Sequence, residues 1–163
     1  VLKQGDNTTM PEWIRSGVID FGFVYPEASE ELCCKELFKD KYVAIVPENS
    51  VLAKKSEVSL EELATYPFIL CEEGIVNTVE NAYKREKITL SPGYRINDDN
   101  TILSMVECGI GVSIISSLLL KRSEYKIKTL NTVQDVSRTV GVTFKSKESL
   151  PIASKKFIDY IKE

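Results

Sequence analysis

Residues 98–115 read DDNTILSMVECGIGVSII, and within this stretch the chain turns from helix to strand. Asn97-Asp98-Asp99-Asn100 offers side chains that cap a helix start, and the helix they open runs to Glu107. Gly109 ends it, and Val112-Ser-Ile-Ile115 is the next strand. The same alternation extends outward in both directions. Upstream, Phe68-Ile-Leu-Cys71 reads as a strand, Glu72-Glu73-Gly74 as a turn, and residues 75–86 as a helix with Val76, Val79 and Tyr83 in register. Tyr94-Arg-Ile96 is a further strand.

Earlier still, Ser59 and Glu62 have capping-box spacing before a short helix that closes ahead of Tyr66-Pro67. Tyr42-Val-Ala-Ile-Val46 is a strand ending at Pro47, preceded by a polar, Glu-rich segment over residues 26–36. At the front, Val1–Gly5 reads as the end of a strand, and Thr9 and Glu12 again have capping-box spacing. Met10, Trp13 and Ile14 share the apolar face of the helix this opens, and Gly17 stops it. Val18–Val24 is a short, mostly apolar run of the kind found in buried strands. Beyond an apolar segment at Leu118–Leu120 come two β-like runs, Tyr125–Leu130 and Arg138–Phe144. Pro151 then starts a helix with Ala153, Phe157, Tyr160 and Ile161 on one face. Strands alternating with helices predict an α/β fold: a mostly parallel sheet flanked by helices.

Composition bounds the chemistry. The 163 residues are 43% hydrophobic and 28% charged, enough apolar material for a core. A net charge of −3 leaves no basic footprint for nucleic acid, so any contact with DNA belongs to a domain absent from this chain. No apolar run approaches the ~20 residues a membrane-spanning helix needs, and the first residues do not resemble a signal peptide. A cytoplasmic location without membrane partners is expected. Histidine is absent, which removes Ser-His-Asp and Cys-His machinery and the commonest zinc ligand. Cys33, Cys34, Cys71 and Cys108 include no C-x-x-C pair, and reduced thiols are expected. The sequence predicts no enzyme, no metal and no cofactor.

Several segments, in this order, resemble the effector-binding domain of LysR-type transcriptional regulators. GDNTTMPEWIRSGVIDFGFV (5–24) resembles that family's strand-ending glycine, polar turn, short helix and Gly-x-Ile-Asp lead into a strand. LFKDKYVAIVPENSVLA (37–53) resembles the crossover from first lobe to second, and SLEELATYPFIL (59–70) and residues 98–115 resemble second-lobe stretches. The strand and helix over 138–162 fit as well. The resemblance implies a two-lobed, type II periplasmic-binding-protein-like fold, with residues 1–36 plus 138–163 in the first lobe and 37–137 in the second. It implies a small-molecule effector between the lobes. It also implies self-association as a dimer or tetramer, and a winged helix-turn-helix, linker helix, first strand and first helix preceding these residues. A solute-binding protein of a transport system shares the fold and is the alternative.

Strand ends and helix starts gather around the cleft of such folds. The candidate ligand-binding residues are therefore Asn7, Thr8, Phe23, Tyr25, Glu72, Gly74, Ile75, Asn97 and Asp98. Asn7, Thr8, Asn97 and Asp98 are equally ordinary capping residues, each worth about 1 kcal/mol to a helix. Trp13 reads as core. Family members that bind carboxylates place an arginine near the strand end where this chain has Val24-Tyr25-Pro26. With Glu72 and Glu73 nearby, that absence argues against an anionic effector. Peroxide-sensing members carry a cysteine where Ile75 and Val76 stand, which argues against a redox sensor.

Overall fold

Asp6 starts the first helix. Its Oδ1 accepts from Thr8 N at 2.9 Å, Thr9 N at 2.7 Å and Thr9 Oγ1 at 3.0 Å. A carboxylate placed on these free N–H groups outcompetes a hydroxyl there. The helix α1 (Thr9–Arg15) is therefore capped from Asp6, and not by the box predicted between Thr9 and Glu12. It buries Pro11 and Ile14, while Trp13 is half-buried with Lys3 Nζ 5.7 Å from its ring centroid.

The computed structural model describes residues 1–29, 31–74, 76–122 and 124–161. The chain divides into two units: Val1–Lys39, Glu73–Val76 and Arg138–Glu163 form one, and Asp40–Glu72 with Asn77–Ser137 form the other.

In the first unit, β1 (Phe21–Val24) pairs antiparallel with β8 (Ser137–Phe144), Phe21 opposite Phe144 and Val24 opposite Gly141. β8 lies between β1 and β2 (Cys33–Pro47) in the strand order. Thus β2 has 15 residues, far longer than the predicted 42–46. Its first half mixes exposed and half-buried positions, so only the end of the Glu-rich segment, Cys33–Glu36, enters the ladder, while Glu27 and Glu31 precede it. Helix α5 (Ile152–Tyr160) packs Ile158 against Val142, Phe144 and Leu150, and Phe157 stacks on Phe21 at 5.2 Å. Val1–Gly5 forms no strand, because a ladder needs a partner and none pairs with it among the described residues.

In the second unit, the other half of β2 runs between β6 (Ser113–Ser116) and β7 (Ile127–Thr132), both antiparallel to it. Ala44 and Val46 face one apolar cluster with Leu52, Leu63 and Phe68, while Ile45 faces a second with Ile69, Ile102 and Val106. Cover on both faces explains the unbroken apolar run Val43–Val46. β3 (Glu57–Val58) pairs parallel with β7, and β4 (Ile69–Cys71) pairs parallel with β5 (Tyr94–Ile96). The mostly parallel sheet expected from the alternation is thus corrected to a mixed one. The four-residue pairings are antiparallel, because β6 and β7 come back along β2 instead of continuing a right-handed β-α-β series.

Side chains set the helix starts in this unit. Ser59 Oγ accepts from Glu62 N at 3.2 Å to open the single turn α2 (Leu60–Leu63), as its spacing predicts. α3 (Thr78–Arg85) begins three residues later than predicted. Asn77 Oδ1 accepts from Glu80 N at 3.0 Å, while Asn77 Nδ2 donates to Cys71 O at 2.7 Å. α4 (Asp99–Glu107) is capped by Asp98.

Candidate functional site

Four segments of the first unit converge on one polar cluster. The turn before α1 contributes Asn7, whose Nδ2 donates to Glu73 O at 3.0 Å. Gly74 follows with φ +87°, a left-handed conformation, and a Cβ there would lie 3.1 Å from Thr8 Oγ1. The Glu73-Gly74 turn is thereby seated on Asn7 and Thr8. From the start of β8, Arg138 Nη1 donates to Glu73 Oε1 at 2.9 Å. The Arg138 guanidinium carbon also sits 4.2 Å from the centroid of the Tyr25 ring, which closes the end of β1.

The pair is well sheltered: the side chains of Arg138 and Glu73 are 19% and 9% exposed. Burial pushes the guanidinium down to about 10, so it keeps its proton and charge at neutral pH. Charges this sheltered need partners, and Arg138 has a carboxylate at its edge and a π face beside it. The arrangement holds a cation at a turn edged by the hydroxyl of Thr8 and the carboxamide of Asn7. Such groups recognise polar organic ligands, and none of them is a nucleophile with a base beside it.

Of the predicted site residues, Asn7, Thr8, Tyr25 and Gly74 belong to this cluster. Phe23 does not. It is half-exposed, meets Phe21 edge-on at 6.4 Å, and lines a separate cavity of about 290 Å³ with Met10 and Val18. Ile75 lies outside the described residues. The remaining three are in the second unit. Glu72 is exposed, with its backbone N–H donating to Ile96 O at 2.8 Å, and Asn97 is exposed before α4. Asp98 caps that helix: its Oδ2 accepts from Thr101 Oγ1 at 2.6 Å and Thr101 N at 2.7 Å. The side-chain bond and then the backbone bond from Thr101 hold its carboxyl below the usual carboxylate range. Burial pushes the neighbouring Asp99 up, against the opposing pull of Cys71 Sγ at 3.6 Å. These two carboxylates are accounted for by helix capping and packing.

Arg138 is the residue that sequence reasoning missed. The arginine judged absent from Val24-Tyr25-Pro26 reaches Tyr25 from β8. The only signal available was a lone cation at the start of a strand-like run, which ordinarily marks a solvated strand end. No disulfide joins any of the four cysteines. Among the described residues no three Cys, Asp or Glu side chains converge as a metal site requires, and no helix is long and apolar enough to cross a membrane.

The family model described as the LysR substrate binding domain matches residues 1–163. The chain belongs to that family, a class of effector-binding domains. It is 28% identical over 166 residues to YvbU of Bacillus subtilis, described as an uncharacterized HTH-type transcriptional regulator. The match covers 100% of this chain and 56% of YvbU, so the chain spans about half the length of the curated relatives it matches. Among solved structures, the effector binding domain of QuiR in complex with shikimate superposes with a TM-score of 0.85 at 22% identity, covering 97% of this chain and 77% of that one. The CcmR regulatory domain of Synechocystis PCC6803 in complex with 2-PG gives 0.86 at 19% identity, covering 99% and 80%. The fold is that of LysR effector-binding domains, which are periplasmic-binding-protein-like. The curated relatives are transcriptional regulators and not enzymes, and the reading as a transport component is not favoured.

Proposed function

We propose that this domain senses a small polar molecule at the cluster of Asn7, Thr8, Tyr25, Gly74 and Arg138. On this reading it serves as the effector module of a longer cytoplasmic regulator that contacts DNA through a separate helix-turn-helix domain. The observation that carries the reading is the guanidinium held between Tyr25 and Glu73 beside a turn of polar side chains. That QuiR is in complex with shikimate, and CcmR with 2-PG, supports a small polar ligand. The likeness to YvbU, described as an HTH-type transcriptional regulator, supports the DNA-binding part. The lobes expected at residues 1–36 with 138–163 and at 37–137 act on this reading with the turn at 73–76 belonging to the first, and the effector shifts a population between lobe arrangements by binding one better. The regulator works as a dimer or tetramer, and the domain itself catalyses nothing.

The test is a thermal-shift screen of hydroxylated and phosphorylated small acids, shikimate and 2-PG included, followed by calorimetry on the hit. Tyr25→Ala and Thr8→Ala are expected to weaken its binding about tenfold each, with unfolding midpoints in urea close to the parent's. An affinity unchanged in both variants would move the site elsewhere.

A further inference from the structure

We infer that Glu73 is a built-in occupant of an anion seat formed by Arg138 and Tyr25, and that the effector carries a carboxylate that takes its place. This rests on the effector-binding reading above and names the ligand's chemistry. The first observation is where the carboxylate comes from. Glu73 stands between β4 and α3 on a turn whose next residue, Gly74, has φ +87°, so no helix or strand fixes its side chain. The second is how the turn is fastened. Asn7 Nδ2 holds the carbonyl of Glu73, so the backbone of the turn is anchored independently of the bond its carboxylate makes to Arg138. The third is the seat. Arg138 presents Nη1 to Glu73 Oε1 at 2.9 Å with the Tyr25 ring 4.2 Å from its central carbon, a planar fork of the kind that matches a carboxylate.

Exchange of one carboxylate for another keeps the charge of the cluster constant. Removing Glu73 with nothing in its place takes a carboxylate from a sheltered cation, which is costly, so departure of Glu73 and arrival of the ligand are coupled. The displaced carboxylate regains its hydration. Glu73 therefore acts as an internal competitor: it lowers apparent affinity by the fraction of time it holds the seat, and selects ligands whose own carboxylate binds better. A neutral ligand has no means of evicting it.

The experiment titrates the 163-residue chain with succinate, shikimate and the uncharged control succinamide, in the parent and in Glu73→Gln, Glu73→Asp and Arg138→Gln. Glu73→Gln is expected to bind the two acids about tenfold more tightly or better, without gain for succinamide, and Arg138→Gln added to it should erase that gain. Equal affinity of the acids for parent and Glu73→Gln overturns the inference, as does an equal gain for succinamide. Should Glu73→Gln not fold, two measurements decide. Glu73→Asp, with its shorter reach, must gain affinity, and succinate but not succinamide must shift the Arg138 guanidinium NMR signal of the parent. Absence of either result overturns the inference. If Tyr25→Ala and Thr8→Ala weaken an effector while Glu73→Gln changes nothing, the seat falls and the effector site stands.

Discussion

Gly111 sits where a single methyl group has no room. A Cβ there would come within 2.3 Å of Pro67 O, the carbonyl that accepts from Val112 N at 2.9 Å. Alanine must push the lead-in to β4 away from β6 and loosen that hydrogen bond. Gly111→Ala is expected to cost about 2–3 kcal/mol in urea unfolding, the range for an overpacked core position. The glycine was legible as part of a helix-to-strand turn; its tightness was not, because Pro67 lies 44 residues away in sequence. The same limit hid Arg138. Tyr25 and Gly74 announce themselves by strand-end and turn chemistry, whereas a sheltered arginine looks like any surface cation until Glu73, 65 residues away, is brought beside it.

At the scale of elements, the signals that proved legible were those confined to four consecutive residues. Ser59 opens its helix through the bond from Glu62 that their spacing foretells, and Asp98 is one of the four residues expected to cap α4, whereas the Thr9 and Glu12 spacing forms no box. Asn77 with Glu80 has the same spacing, yet the apolar period of Val76 extends the predicted helix back to residue 75. Asp98 also makes the start of α4 sensitive to acid. The Thr101 bonds hold its carboxyl below the unfolded value, so the unfolded chain takes up the proton first. Its contribution is complete above the ordinary carboxylate range and drains away as pH falls through the lowered value. Asp99, pushed up by burial, contributes in the opposite sense, losing stability as pH rises through that range. Asp98→Asn keeps the shape, removes the first effect and relieves the smaller push that the Asp98 charge adds to Asp99. Urea midpoints of parent and variant should differ at neutral pH and converge in acid; a gap that persists in acid would show that charge at this cap is irrelevant.

At the scale of the molecule, the two units differ in how much apolar surface each buries. Tyr42, Leu52, Phe68, Ile102 and Ile114 are among many wholly buried side chains of the second unit, whereas the cluster of the first is Val142, Phe144, Leu150 and Ile158. Local opening follows core content. Amide exchange is therefore expected to be slower in the Asp40–Val46 half of β2, β4 and β6 than in β1, β8 and α5; equal protection would refute the ranking. The α/β class was legible from the alternation of elements, and the family from the order of its segments. Strand direction was not, since β2 meets β6 and β7 across about 70 and 85 residues, and no local pattern encodes such pairings.

The chain's one tryptophan, Trp13, lies in α1, the helix that starts from the turn carrying Asn7 and Thr8. Half-buried, with a lysine ammonium near its ring, the indole has an emission that depends on its immediate surroundings. The protein thus carries its own optical gauge at the foot of the ligand turn. Occupancy can be followed by intrinsic fluorescence in the unlabelled chain, in stopped flow as readily as at equilibrium.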